Sequence, residues 1–264
     1  MRSTFNRLTK LLATVRRRNR LILILVLLSA GLVAALFVAS ACGAVTISLS
    51  AILKMVLNKL ALFDFPASWR SVDETIVFQL RLPRVVGGVL VGAALATAGA
   101  LFQGLLRNPL ADPYIIGTSA GAALGATVAM MLPVNLAFLG FGLVPVAAFC
   151  GALVSVTVVY NLARVGGKTP IVSMLLAGFV VSSLLAAIMA FLMSMSDRLG
   201  LNLHSIYSFL MGHITVSSWG QIAVIAPLVV GGIIGSRFFA FHLNAFSLGE
   251  EGAAYLGIEV ERDK

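Results

Sequence analysis

Charge is what this sequence has least of. Only 11% of its 264 residues are Asp, Glu, Lys or Arg, against about 25% in an ordinary soluble domain. Apolar residues make up 59% of the chain, and the mean hydropathy is +1.02. That balance excludes a water-soluble globular domain and marks an integral membrane protein, for which length does not count domains. Cysteine is scarce too. Cys42 and Cys150 stand alone, with no CxxC or Cys/His spacing, so neither a zinc site nor a disulfide framework is supported. Both sit in or beside apolar spans and read as small apolar core residues. His204, His213 and His242 are scattered with no ligand spacing, so neither metal nor haem ligation is expected. A GxxxxGK[ST] loop for nucleotide phosphates is also missing.

The charge that exists is concentrated. Seven of the 19 basic residues lie between Arg2 and Arg20, and the net charge is +9. Beside an apolar run, a basic tail follows the positive-inside rule and is not a nucleic-acid footprint. Ala39-Ser40-Ala41-Cys42 imitates a lipoprotein cleavage site. The length of the run before it, and the further spans after it, favour a first membrane helix over Leu21–Ala41.

Hydropathy places five more spans, at about Val85–Leu106, Tyr114–Leu132, Leu143–Ala163, Ile171–Met195 and Trp219–Phe239. Between the first two spans, Ile47, Ile52, Met55, Val56 and Leu60 recur at helical spacing and predict an amphipathic surface helix. A polar external loop with Asp64, Pro66, Trp69, Arg70, Asp73 and Glu74 follows. A second short helix is expected near Leu203–Met211. Six spans put both termini on one side. The segments on that side hold 13 basic residues against 6 on the other, which places the N-terminus in the cytoplasm. The domain reading is a cytoplasmic basic tail (1–20), a membrane domain (21–241) and a cytoplasmic segment (242–264).

Arg237, at the inner edge of the last span, is the one charged residue within these bounds; the span interiors carry none. Ion-coupled carriers keep ionisable groups at mid-membrane to bind the coupling ion. Without them, and without a phosphate loop, energy has to come from a partner. The rival reading from another class, a secondary carrier or channel, loses support for the same reason.

The stretch Arg81–Gly125 organises the rest. It runs from RLPR through a Gly/Ala-rich span carrying Gln103 into a polar break, RNPLADP, and then a second small-residue span. Pro109 and Pro113 end helices. A break of this kind survives at membrane depth only where protein or a water-filled cavity covers it. Gln103 and Asn108 are the polar groups placed to face a path. The GxxxG pairs Gly88/Gly92, Gly117/Gly121 and Gly121/Gly125 read first as close helix packing.

Arg81-Leu82-Pro83-Arg84, Gly99-Ala100-Leu101-Phe102-Gln103, Arg107 to Pro113 and Gly117 to Ala122 together closely resemble the FecCD-type permeases, membrane subunits of ATP-driven importers of ferric siderophores, haem and cobalamin. The resemblance implies an all-α polytopic bundle that is homodimeric when complete, in the cell inner membrane. It implies a permease that is not itself an enzyme and binds no cofactor. ATP would be bound and hydrolysed on a cytoplasmic ABC ATPase subunit, and substrate delivered by an extracytoplasmic substrate-binding protein. Arg81 and Arg84 would receive acidic residues of that protein. Gln103, Asn108, Pro109, Gly117 and Gly121 would line the translocation path. Leu248, Gly249, Glu250, Glu251, Ala253 and Gly257 would form the segment seated on the ATPase. Iron chelates are the expected substrate, with cobalamin or haem as alternatives. His213 departs from the family's usual Ser. The resemblance also implies about ten helices where six spans are found, so the expectation is a C-terminally truncated piece of a longer reading frame.

Overall fold

The computed structural model describes residues 2–66, 69–134, 137–195 and 202–246 and the positions 249, 252, 255 and 257; over 2–17 it describes the backbone alone. Among the described residues, five helices are long and apolar enough to cross a membrane: Arg18–Ala41, Ser71–Leu106, Leu143–Ala163, Ile171–Ser194 and Trp219–Phe246. The expected polytopic helical bundle is what forms. The chain divides into two units, Met1–Val85 and Val86–Lys264.

In the first unit, α1 (Arg2–Ala41) is a single helix. Its side chains from Leu21 to Leu28 are all exposed, a surface suited to lipid. The predicted surface helix is α2 (Leu49–Lys59), capped by the Ser48 hydroxyl, which accepts from the Ala51 N–H at 3.3 Å. Its buried Ile52 and Met55, one turn apart, pack with Ile47 and Val77 into a small core. Burying side chains of this size stabilises by about 1.5–3 kcal/mol each. Lys59 Nζ lies 5.7 Å from the Phe78 ring centre, within cation–π reach.

Where hydropathy suggests a polar loop, the chain is already helical. The Asp73 carboxylate accepts from the Arg70 N–H at 3.3 Å and from its guanidinium at 2.9 and 3.2 Å. This closes the N-terminus of α3 (Ser71–Thr75). A π-helical turn, Ile76–Arg81, leads without a break into α4 (Leu82–Leu106). The second membrane helix thus starts well before Val85. Asp73 and Glu74 sit in its first turn, where acidic groups suit the helix dipole.

The second unit holds a 3₁₀ turn, Pro113–Ile116, followed by α5 (Thr118–Met131), α6 (Leu143–Ala163) and α7 (Ile171–Ser194). The small residues explain the packing. A Cβ on Gly125 would collide with the Ala147 carbonyl, and one on Gly178 with the Ile115 carbonyl. Backbones approach this closely only where side chains are missing. A hairpin, Ala137–Phe138 with Phe141–Gly142, turns through Leu139 and Gly140, both at positive φ, as two-residue hairpin turns require. The short helix α8 (Leu203–Leu210) appears as predicted. Hydropathy ends the last span at Phe239, yet α9 (Trp219–Phe246) continues two further turns. Its final residues are held by packing: Ala245 and Phe246 are buried together with Leu105 and Leu243.

Candidate functional site

Three groups of residues carry the functional expectation. The first is the arginine pair. Arg81, the last residue of the π turn, is half-buried. Its guanidinium donates to the Ser40 carbonyl at 2.8 Å, to the Ala41 carbonyl at 3.0 Å and to the Val45 carbonyl. Arg84 is exposed and has no side-chain partner among the described residues.

The second group is the polar corner after α4. The helix stops in a Schellman motif: Arg107 adopts φ +50°, and the Asn108 N–H returns to the Gln103 carbonyl at 3.2 Å. A non-glycine residue here costs about 1–2 kcal/mol, so the surroundings have to hold it. The side chains of the corner supply acceptors for the backbone N–H groups that follow its two prolines. Asn108 Oδ1 accepts from the Leu110 N–H at 2.9 Å, and Asp112 Oδ1 accepts from the Tyr114 N–H at 2.9 Å. Both are side-chain-made turns. Gln103, Asn108 and Pro109 are exposed. The Gln103 amide has no hydrogen bond among the described residues.

Gly117 and Gly121 are buried instead. Gly117 stands at φ +81° between the 3₁₀ turn and α5, and its carbonyl accepts from the Ser155 hydroxyl at 2.9 Å. An added Cβ would lie 2.7 Å from Ser155 Oγ and 3.3 Å from Ser182 Oγ. A Cβ on Gly121 would strike the Gly151 carbonyl and lie 2.5 Å from Ser155 Cβ. Gly121 also borders an apolar groove of about 540 Å³, with Gly125, Cys150, Val154, Val181 and Leu184 around it. The two glycines therefore sit where helices meet, and Gln103 and Asn108 lie on the exposed surface of the described residues. Sequence reading missed Ser155 and Ser182. The available signal was Gly151 and Ser155, one turn apart on α6, repeating the spacing of Gly121 and Gly125 on α5.

The third group follows α9. Leu248, Glu250, Glu251 and Ala253 lie outside the described residues. Gly249 is at φ +106° and Gly257 at φ +81°, and the Gly249 N–H donates to the Phe246 carbonyl at 3.0 Å. The structure brings this group to the corner. Arg107 Nη1 is 3.8 Å from where a Gly249 Cβ would stand, and a Cβ on Gly104 would meet Leu243 at 3.3 Å. That contact between α4 and α9 was not legible in the sequence. Among the described residues, no cluster of three or more His, Cys, Asp or Glu side chains could hold a metal.

Residues 21–264 match the profile of the FecCD transport family. A cobalamin import system permease protein from Halobacterium salinarum is 41% identical over 191 residues, 72% of this chain and 50% of that protein. A hemin transport system permease protein from Yersinia pestis is 37% identical over 190 residues, 72% of this chain and 56% of that protein. The chain spans about half the length of these relatives. Among solved structures, a metal-chelate type ABC transporter in an inward-facing conformation has a TM-score of 0.66 at 25% identity, covering 90% of this chain and 68% of that one.

Proposed function

Because this chain belongs to the FecCD transport family, we propose that it acts as the membrane permease subunit of a binding-protein-dependent ABC importer in the cell inner membrane, with its N-terminus in the cytoplasm. It would work as a dimer with a second copy or a related permease. A substrate-binding protein delivers cargo to the face bearing Arg81 and Arg84. A cytoplasmic ATPase subunit binds and hydrolyses ATP and moves the segment from Leu248 to Gly257. Cargo passes by alternating access beside Gln103, Asn108 and Pro109, with Gly117 and Gly121 as the close-packed joints of the helices that reorient.

The observation that carries this reading is the seating of the end of α9 on the end of α4. Phe246 is 2% exposed against Leu105 and Leu243, and Gly249 lies beside Arg107. A push on the segment after Phe246 therefore reaches the corner directly, through packed side chains. The span interiors offer no acid or base to couple an ion gradient, which fits energy supplied by a partner.

For the cargo we propose a ferric siderophore or related iron chelate. Relatives named as Fe(3+)-citrate and iron(3+)-hydroxamate import permeases are 36% and 31% identical. Cobalamin is the second reading, favoured by the 41% identity to a cobalamin permease. Uptake of labelled ferric siderophore and labelled cobalamin, in cells with the gene intact and disrupted, tests both. Loss of iron uptake alone is expected. Loss of cobalamin uptake alone would replace the cargo and leave the mechanism.

A further inference from the structure

We infer that the two arginines of the RLPR motif have different tasks: Arg81 is a positioning residue that closes the open end of α1, and Arg84 alone is presented to an acidic partner. The second half rests on the docking role proposed above; the first does not.

The need for a clamp follows from α1 itself. The last carbonyls of a helix have no donor within it, and a positive charge near them is favourable. α1 has no basic residue in its last turn. The Cys42 N–H returns to the Val38 carbonyl at 3.1 Å, which leaves Ala39 open and, at the very end of the helix, Ser40 and Ala41. Arg81 reaches both, and Val45 beyond the bend, with one guanidinium. Only the planar fork of arginine supplies several donors fixed at the spacing of neighbouring carbonyls.

Two further features fit this task. A Cβ on Gly43 would lie 2.7 Å from Arg81 Nη2 and 3.0 Å from Cζ, so glycine leaves the room the guanidinium occupies. The π turn that ends at Arg81 is anchored by Val77, 0% exposed in the core with Ile52 and Met55. A π turn shifts every later residue by about one position relative to an α-helix, and here the shift sets where Arg81 points. Pro83, fully buried, separates Arg81 from the exposed Arg84.

The test uses the full chain in detergent, with Cys150→Ala so that the exposed Cys42 is the single reporter thiol. Brief treatment with phenylglyoxal, read by mass spectrometry, should modify Arg84 and spare Arg81. Maleimide labelling of Cys42 should quicken by about fivefold or more in Arg81→Ala. Arg81→Lys should not restore the slow rate, Gly43→Ala should reproduce the fast one, and Arg84→Ala should leave it unchanged. Equal modification of the two arginines, or rescue by lysine, overturns the clamp. Should Arg81→Ala fail to fold, the phenylglyoxal pattern and Gly43→Ala still decide. In cells, Arg84→Glu should lower uptake while Cys42 labelling stays slow. Unchanged uptake with the clamp intact overturns the Arg84 half and the docking reading, and leaves the Arg81 half standing.

Discussion

Ser155 donates its hydroxyl to the carbonyl of Gly117 across 2.9 Å, tying the body of one helix to the point where another begins. The carbonyl also receives the Gly121 N–H at 3.0 Å, so losing the serine does not orphan it. Ser155→Ala should cost about 1 kcal/mol, the worth of one buried hydrogen bond. Gly117→Ala should cost more, because its φ is left-handed and the new methyl meets Ser155 Oγ. The double variant should be less unstable than the two losses added, by about 0.5 kcal/mol or more. Thermal unfolding of the four proteins in one detergent measures this. Strict additivity would mean that the two residues do not share a contact.

Glycines on α4 to α7 should separate into two classes. Gly121→Leu and Gly178→Leu drive a side chain into a neighbouring backbone carbonyl and should abolish a stable fold. Gly92→Ala and Gly99→Ala meet nothing within 4 Å and should be neutral or stabilising by up to about 1 kcal/mol, the helix propensity gained. Size-exclusion profiles and melting temperatures distinguish the classes.

Phe246→Ala removes a ring that is 2% exposed. The loss should be about 3 kcal/mol. If the end of α9 drives α4, ATPase activity in reconstituted vesicles should also stop responding to loaded binding protein. Gly104→Leu should give the same uncoupling by wedging against Leu243. Normal coupling in either variant, with the protein still folded, would exclude this contact as the route.

Arg107→Gly relieves a left-handed non-glycine residue. The melting temperature should hold or rise, since about 1 kcal/mol of strain is removed. Uptake should nevertheless fall if the arginine beside Gly249 transmits movement. Stability and uptake falling together would make Arg107 a structural residue only.

Bulk architecture was legible because it depends on hydropathy and length. Leu143–Ala163 is expected at both ends as the structure has it, α2 follows from periodicity, and α8 lies in the stretch too polar to span. The failures share a cause. Helix ends are set by specific partners, and composition does not report them. Asp73 starts the second membrane helix early by capping Arg70, and Leu105 prolongs α9 to Phe246 by packing on it. The site was legible as a set of motifs. Its assembly was not, because the guanidinium on Ser40 and the meeting of Arg107 with Gly249 join residues about 40 and over 100 positions apart, beyond what spacing can show.

Helix α5 has 14 residues and so rises about 21 Å. The hydrocarbon layer of a bilayer is about 30 Å thick. The four-residue 3₁₀ turn before it adds about 8 Å, which brings the segment just level with the layer. No spare turn is left at either end, and the polar corner from Arg107 to Asp112 is drawn to the very rim of the hydrocarbon. Lipids with longer chains would have to thin locally or pull that turn straight, whereas a longer span such as Trp219–Phe246, with 28 residues, has length to tilt. Acyl-chain length, varied in proteoliposomes, thus acts on the corner through α5 before it acts on the longer helices.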